Sequence, residues 1–440
     1  MQQQSILILG SGGREHALCY ALIKSNQAKI IYCATGNAGI ATTDSNVHCA
    51  NLDIINPQEI LDFCQKNQID FVILGSEAPA AAGVADILLK HSVRVFGCTQ
   101  QAAMLESSKG FTKDLCQKLN IPTASYIRAD NANAALLGLK NFNAPYVIKA
   151  DGLAAGKGVV IAETEAEAID AIHKIFAGSF GDAGHQVVIE EFLYGEEASF
   201  FVLSDGKNAI PFGTAQDHKR AFDGDKGPNT GGMGSYSPAS IVTDAIQQEI
   251  MDNIINPVIT DMDKQGTPFV GVLYAGLMLT DNGAKLIEFN VRFGDPECQV
   301  LMMRLKTDLL TILNAVATQT LDELRPIEWH DIYAVTVVMA ANGYPDQKIS
   351  KGDVISLPQI NDTDKAMIFH AGTALNNNKQ FIANGGRVLN ITATGDNISD
   401  ATQKAYAIVA QVQWENCFYR TDIAHQEIKR MPKQVPKYQN

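Results

Sequence analysis

Short apolar runs that end in glycine recur along the first hundred residues. Runs at 5–9, 30–33, 71–74 and 93–96 each pass into a glycine turn, and windows with helical spacing lie between them at 17–24, 57–66 and 81–90. Apolar strands separated by helices predict a parallel βαβ sheet, whose ligands sit at the strand C-termini where these turns fall. Further on the pattern changes. A helix at 107–120 precedes strands at 145–149 and 159–162, which flank a glycine-rich turn, and strands at 186–192 and 198–203 flank an acidic one. The segment 221–238, with glycines at 224, 227, 231, 232 and 234, reads as a long loop, and the flanking Asp217, Lys219 and Arg220 make it a candidate active-site lid. An amphipathic helix at 243–262 places Ile246, Ile250 and Ile254 in register and is interrupted at Pro257. Strands at 269–279 and 284–293 pair across an Asp-Asn-Gly turn, a helix follows at 307–317, a second strand set starts at 332, and a helix at 399–413 closes the chain before a loose tail from Lys429.

The stretch KLIEFNVRFGDPE at 285–297 carries the strongest candidate chemistry. As a strand over 286–293 it sends Glu288, Asn290 and Arg292 to one face and Ile287, Phe289, Val291 and Phe293 to the other. A carboxylate and an amide two residues apart offer hard oxygen ligands to one point, which suits Mg²⁺, and Arg292 beside them can grip an anion that the metal also touches. A half-buried strand with a solvated polar face gives the same alternation.

Other motifs sharpen the picture. Gly10-Ser-Gly-Gly-Arg-Glu-His16 joins a strand to a helix and forms an anion site, but Glu15 stands where the dinucleotide fingerprint needs glycine, so a phosphate is favoured over NAD. The run Lys149-Ala-Asp-Gly-Leu-Ala-Ala-Gly-Lys157-Gly158 is not a Walker A loop: Asp151 and Gly158 occupy the places of its glycine and its Ser or Thr, and a strand follows instead of a helix. It reads as a glycine-rich hairpin flap that closes over a triphosphate with two ammonium groups. Carboxylates at the junction 190–197 suit a purine nucleoside.

A chain of 440 residues with 46% hydrophobic and 19% charged residues is an ordinary globular protein of about three domains. Its net charge of −13 excludes a nucleic-acid wrapping function. The eight cysteines show no zinc spacing and read as reduced thiols of a cytoplasmic protein, and no segment reads as a signal peptide or membrane span.

In their order these motifs resemble the ATP-grasp superfamily and, more closely, the phosphoribosylamine–glycine ligase family. The resemblance rests on GGREHAL at 12–18, GNAG at 36–39, KADGLAAGKGV at 149–159, EEFLYGEEASF at 190–200, QDHKR at 216–220, GPNTGGMGSYSP at 227–238, LYAGLM at 273–278, IEFNVRFGDPE at 287–297, HAGT at 370–373 and GGRVLN at 385–390. It implies an α/β multidomain fold: an N-terminal parallel βαβ domain at 1–104, an ATP-grasp domain at 105–322 with its flap subdomain near 122–194, a mixed β/α C-terminal domain at 330–428, and a tail at 429–440. It further implies that ATP phosphorylates glycine to glycyl phosphate, which the amine of 5-phosphoribosylamine attacks to give glycinamide ribonucleotide, in a monomeric enzyme of purine biosynthesis that uses Mg²⁺ or Mn²⁺.

Carried over by position, Lys109, Lys149 and Lys157 would hold phosphates, Glu190, Glu191 and Leu193 would border the adenine, and Glu197 would meet the ribose. Glu288 and Asn290 would hold the metal. Arg292, Asp217, Asp295 and Lys157 would face glycine and the transferring phosphoryl group, while Gly10, Gly12, Gly13, Arg14, Asn37, Gly39, Glu77 and Arg220 would receive the phosphoribosyl end. This chain departs from the family's usual words at Ser76 and Cys98, where prolines are common, and it has no acid in 273–279, where many ATP-grasp enzymes carry another metal ligand. The residues alone also admit another ATP-grasp ligase or carboxylase, or a nucleotide-binding module without turnover.

We expect Lys157→Ala to impair turnover strongly with the fold intact and Glu288→Gln to raise the metal requirement. Near-normal kinetics in both variants would place the site elsewhere.

Overall fold

The computed structural model describes residues 3–153, 158–179, 184–345 and 348–431. Strands Gln4–Gly10, Ala28–Thr35, Val47–Ala50, Phe71–Leu74 and Arg94–Phe96 form a parallel five-stranded sheet with Gln4–Gly10 in the middle. Helices Gly13–Ile23, Pro57–Asn67 and Val84–Lys90 make the crossovers, and the glycine turns lie along one edge as the apolar runs require. Strand Val47–Ala50 escaped the pattern because two of its four residues, His48 and Cys49, are exposed. The first helix starts at Gly13 and not near residue 17, because Glu15 turns its carboxylate back to accept the Gly12 N–H at 2.6 Å and so closes the first turn early.

A small antiparallel sheet, ordered Tyr126–Ala129, Val187–Glu191, Tyr146–Ala150 and Val159–Ala162, is covered by helices Ala132–Leu139 and Glu165–Lys174 and keeps its own apolar core around Ile148, Ile172 and Ile189. The main sheet has nine strands, and every pairing in it is antiparallel. It runs from Gly283–Asn290 at one edge through Val270–Thr280, Glu196–Asp205, Ala209–Asp217 and Gly234–Ser237, then on through Tyr333–Ala341 and Arg387–Gly395 to Ala366–His370, with Cys417–Phe418 added beside Tyr333–Ala341.

That continuity overturns the loop expected at 221–238. The segment contains the hairpin Arg220–Phe222 with Lys226–Asn229, and then the buried strand Gly234–Ser237, which joins the central part of the sheet to its C-terminal part. Its polar composition is satisfied internally: the Ser235 and Ser237 hydroxyls donate to the carbonyls of Pro296 and Thr214 at 3.0 and 2.6 Å. Gly234 sits where a Cβ would fall 2.6 Å from Ile423. Serine and glycine suggest loop in a sequence, yet here they make a tightly packed strand. The loose tail expected from Lys429 does not start there, since Lys429 and Arg430 belong to helix His425–Arg430 and Arg430 pairs with Glu196 and Glu427; the rest of that expectation, 432–440, lies outside the described residues.

The strand carrying the EFN word ends at Asn290, short of the expected 293, and holds a bulge at Ile287: Leu286 pairs with Leu277 and Glu288 with Gly276, leaving Ile287 unopposed. Leu286 therefore enters the core while Ile287, expected there, is half-buried. This edge is capped by the small lobe through Thr123, whose backbone bridges to Leu286 and whose hydroxyl donates to the Leu286 carbonyl at 2.6 Å. The edge strand is thus where the small lobe meets the main sheet.

The N- and C-terminal parts meet at Asn37. Its amide donates to the Ser11 and His370 carbonyls at 2.8 and 2.9 Å, while its oxygen accepts the Gly39 and Ile40 N–H groups at 3.0 Å. Gly39 lies so close to the His370 ring that a Cβ would come within 2.2 Å. We expect Gly39→Ala to lower stability by about 1–3 kcal/mol through overpacking, measured as a reduced denaturant midpoint with an unchanged slope.

Candidate active site

Two lysines from different elements share one buried carboxylate beside the edge strand. Glu190, at the end of Val187–Glu191, bonds Lys149 Nζ at 2.8 Å and Lys113 Nζ at 3.0 Å, with all three side chains nearly inaccessible. Lys113 continues to the Thr123 hydroxyl at 2.7 Å, and Lys149 to the Ile287 carbonyl at 3.5 Å, so the bulge that turned Ile287 outward gives Lys149 a backbone acceptor. The Glu190 carboxylate thus lies between the two lysines. Glu191 accepts the Ser125 N–H at 3.0 Å, and Leu193 lies half-buried on the crossing from the small sheet to the large one.

Cations converge on the edge strand. Glu288 is held below the usual carboxylate range: burial works against ionisation, and Lys109, Lys149, Lys219 and Arg292 together outweigh it. Asn290 is buried beside it and accepts from Arg292 Nη2 at 3.1 Å. Arg292 lies past the strand end, clamped by two carboxylates, Glu106 at 2.9 Å and Glu77 at 3.2 Å. Glu106 also accepts the Val291 N–H at 2.8 Å, which fixes the chain where the ladder stops. Burial pushes Glu106 up to about 6 against the pull of Arg292, whereas at Glu77 Arg292 and Arg14 overcome burial and bring the carboxyl down to about 2.

A second group lines the neighbouring strands. Lys219 bonds Asp217 at 2.8 Å and Glu197 at 2.5 Å, and these carboxylates raise its pKa well above the ordinary value despite burial. Behind them Glu297 accepts from the Tyr274 hydroxyl at 2.9 Å and the Ser199 hydroxyl at 3.2 Å, and burial together with Asp217 pushes it up to about 6. Arg220 points the other way and donates to the Gly227 carbonyl at 2.7 Å within its own hairpin. His218 is buried and neutral, pushed down to about 3 by burial, with Nε2 accepting the Ala424 N–H at 3.0 Å.

The N-terminal glycine turn is less open than its sequence suggested. Glu15 accepts from Gly12 N and from Arg14 Nε at 2.6 Å, and a Cβ at Gly10 or Gly75 would strike the same carboxylate. Glu15 therefore fills the concavity that glycine would leave for a pyrophosphate. Arg14 is buried, donating also to the Phe293 carbonyl at 3.0 Å, and Asn37 and Gly39 are engaged in the junction with His370. Gly12 and Gly13 do lie against Asp295 and Gln299, so the turn and the end of the EFN word share one corner. Lys109 donates to the Gly152 carbonyl at 3.2 Å at the root of the flap, and Lys157 lies outside the described residues.

The structure thus brings Lys109, Lys149, Lys219, Arg292, Glu288 and Asn290 together, while Arg220 and Asn37 are spent on internal contacts. Glu106, Glu297 and Arg387 were not singled out by sequence reasoning, and Lys113 was noted near the start of the helix at 107–120 without a role. Glu106 lies in an unremarkable helix Met104–Ser107, and nothing local marks it as the partner of an arginine far along the chain.

Glu288 and Asn290 fit a hard divalent cation: both offer oxygen from one strand face, and the surrounding cations keep Glu288 ionised. The opposing strand supplies Gly276 and Tyr274 at the paired positions, and no cluster of three or more acidic, His or Cys ligands occurs among the described residues. A cation held here would complete its shell with water and phosphate oxygens, as Mg²⁺ commonly does.

Family models match the chain in three consecutive stretches: the phosphoribosylglycinamide synthetase N domain over residues 4–106, its ATP-grasp (A) domain over 107–298 and its C domain over 334–426. The phosphoribosylamine–glycine ligase of Agrobacterium fabrum is 52% identical over 425 residues, covering 97% of this chain and 99% of the relative. That of Mesorhizobium japonicum is also 52% identical, over 426 residues, with 97% and 99% covered. The crystal structure of phosphoribosylamine–glycine ligase from Thermotoga maritima matches with a TM-score of 0.83 at 34% identity, over 96% of this chain and 100% of that one.

Replacing Glu190 by Gln should leave two buried ammonium groups with a weakened partner and cost about 3–5 kcal/mol of stability. Denaturant titration of Glu190→Gln checks this, and a loss under about 1 kcal/mol would mean the Lys113–Glu190–Lys149 bridge contributes little to folding.

Proposed function

The chain belongs to the phosphoribosylglycinamide synthetase family, and we propose that the cations converging on Glu288 receive the triphosphate of ATP during the ligation of glycine to 5-phosphoribosylamine. The family's reaction is an ATP-dependent ligation of purine biosynthesis on small-molecule substrates, carried by an ATP-grasp fold. The observation that carries the site reading is the gathering of Lys109, Lys149, Lys219 and Arg292 about one carboxylate in a chain of net charge −13. Cations held in place about one carboxylate can receive a polyanion and the charge that shifts in a phosphoryl transfer.

Lys109, Lys149 and Lys157 hold the phosphates in this reading. The crossing at Glu191 and Leu193 borders the adenine, and Glu197 meets the ribose. Glu288 and Asn290 would hold Mg²⁺ or Mn²⁺, which when bound would supply neutralisation of the phosphoryl oxygens' charge. A glycine carboxylate oxygen attacks the terminal phosphorus, the bond to ADP breaks, and glycyl phosphate forms. Arg292 and Asp217 flank the transferring group, and Asp295, kept ionised by Arg387 and Arg14 despite burial, faces the glycine ammonium. The amine of phosphoribosylamine then attacks the carbonyl carbon, the carbon–oxygen bond to phosphate breaks, and the nitrogen releases a proton. The corner of Gly10, Gly12, Gly13, Arg14 and Glu77 receives the phosphoribosyl end, with Arg14 acting beside Asp295.

No protein nucleophile is needed, because positioning and charge neutralisation suffice for this transfer. A closed flap keeps water from the acyl phosphate. No helix among the described residues is long and apolar enough to cross a membrane. The reading takes the enzyme as a cytoplasmic monomer without a nucleic-acid partner, in keeping with its acidic charge and free cysteines.

Glycine labelled with ¹⁸O in its carboxylate should pass one label into the released phosphate, read by mass spectrometry. Phosphate free of label would exclude the acyl-phosphate route.

A further inference from the structure

The words HAGT at 370–373 and GGRVLN at 385–390 have no part in the ligation described above, yet one of their side chains reaches the site. Arg387 opens strand Arg387–Gly395 of the C-terminal part and extends across to the end of the EFN word. Its Nη2 pairs with the Asp295 carboxylate at 3.3 Å, and its Nη1 donates to the Asp295 carbonyl at 2.5 Å. The same Nη1 donates to the carbonyls of Gly231 and Gly232 at 2.5 and 3.3 Å. One guanidinium thereby ties three distant segments. Both partners are largely shielded, with 20% of the Arg387 side chain and 14% of the Asp295 side chain accessible.

Asp295 is also held from the other side. Gln299 Nε2 donates to its Oδ1 at 2.8 Å, leaving Oδ2 to Arg387 and placing it about where a Cβ on Gly12 would come within 3.1 Å. The carboxylate therefore has a fixed orientation toward the glycine-turn corner. Gly231 and Gly232 have no side chain between their carbonyls and the guanidinium: a Cβ at Gly231 would come within 3.0 Å of Arg387, and one at Gly232 within 2.5 Å of Pro296. A bond to the Asp295 backbone and another to its carboxylate fix both ends of one residue, which a planar guanidinium can do and a single ammonium cannot.

We propose that Arg387 is a positioning residue through which the C-terminal domain orients Asp295 toward the amino group of glycine. The inference rests on the reading that Asp295 faces glycine, and it adds that the C-terminal domain sets affinity for the amino acid and not for the nucleotide. Lys109, Lys149 and Glu288 sit on a helix, on the small sheet and on the edge strand, and among the described residues none shares a hydrogen bond with Arg387, so the nucleotide end should not feel its loss.

The test is steady-state kinetics on full-length Arg387→Met, Arg387→Lys, Asp295→Asn and the double variant Arg387→Met/Asp295→Asn, normalised to the folded fraction. We expect Arg387→Met to raise the KM for glycine about ten-fold or more. The KM for ATP should stay within about two-fold, Arg387→Lys should fall between wild type and Met, and the double variant should be no worse than Asp295→Asn alone. A loss of kcat with both KM values unchanged would reduce Arg387 to a structural clasp and overturn the proposal, as would effects of the two single changes that multiply in the double variant. Asp295→Asn with an ordinary glycine KM would instead overturn the placement of glycine at Asp295, and the proposal with it. Where Arg387→Met does not fold, the cycle with Arg387→Lys decides by the same criteria.

Discussion

Four cationic groups act on Glu288 and so also repel each other, and the structure around the edge strand is arranged so that this repulsion can be borne. Unit charges several ångströms apart at an effective dielectric near 20 interact by roughly 2–4 kcal/mol, so an unpartnered set would strain a fold whose whole stability is only about 5–15 kcal/mol. Each cation but one is leashed to acid: Lys149 to Glu190, Lys219 to Asp217 and Glu197, Arg292 to Glu106 and Glu77. Among the described residues Lys109 bonds a backbone carbonyl, that of Gly152. Positive charge is thus stored in fixed geometry, available to a polyanion without rearrangement of the protein.

The same partners explain how separate units become one site. The small lobe has its own core and touches the main sheet through Thr123 and the Lys113–Glu190–Lys149 bridge, so the contacts between lobes are largely polar and directional. The N-terminal sheet contributes Glu77 and Arg14, while the C-terminal part contributes Arg387 through a strand that continues the central sheet. Asp295 is a place where the N- and C-terminal parts meet, beside Gly12 and bonded to Arg387.

The carboxylates divide by environment. Glu288 and Glu77 stay ionised because cations outnumber them locally, whereas Glu106 and Glu297 are pushed to about 6 by burial. The residue type is the same in all four, and the surroundings alone set which way each carboxyl is shifted.

Periodicity and turn chemistry are local, and what they govern was legible before any coordinates: the parallel N-terminal sheet, the hairpin ending in the EFN word, and the placing of Glu288 and Asn290 on one strand face. Long ordered words carried the family. Local pattern could not show that a glycine- and serine-rich segment is a central strand, because its polar groups are satisfied by Pro296 and Thr214, far off in sequence. Nor could it show the bulge at Ile287, Glu15 filling the glycine turn, or Glu190 lying between two lysines. A side chain's hydrogen-bond partners are set by what the fold brings alongside it. Only the tertiary structure decides whether an acid or an arginine is left for substrate or is already bound to another part of the chain.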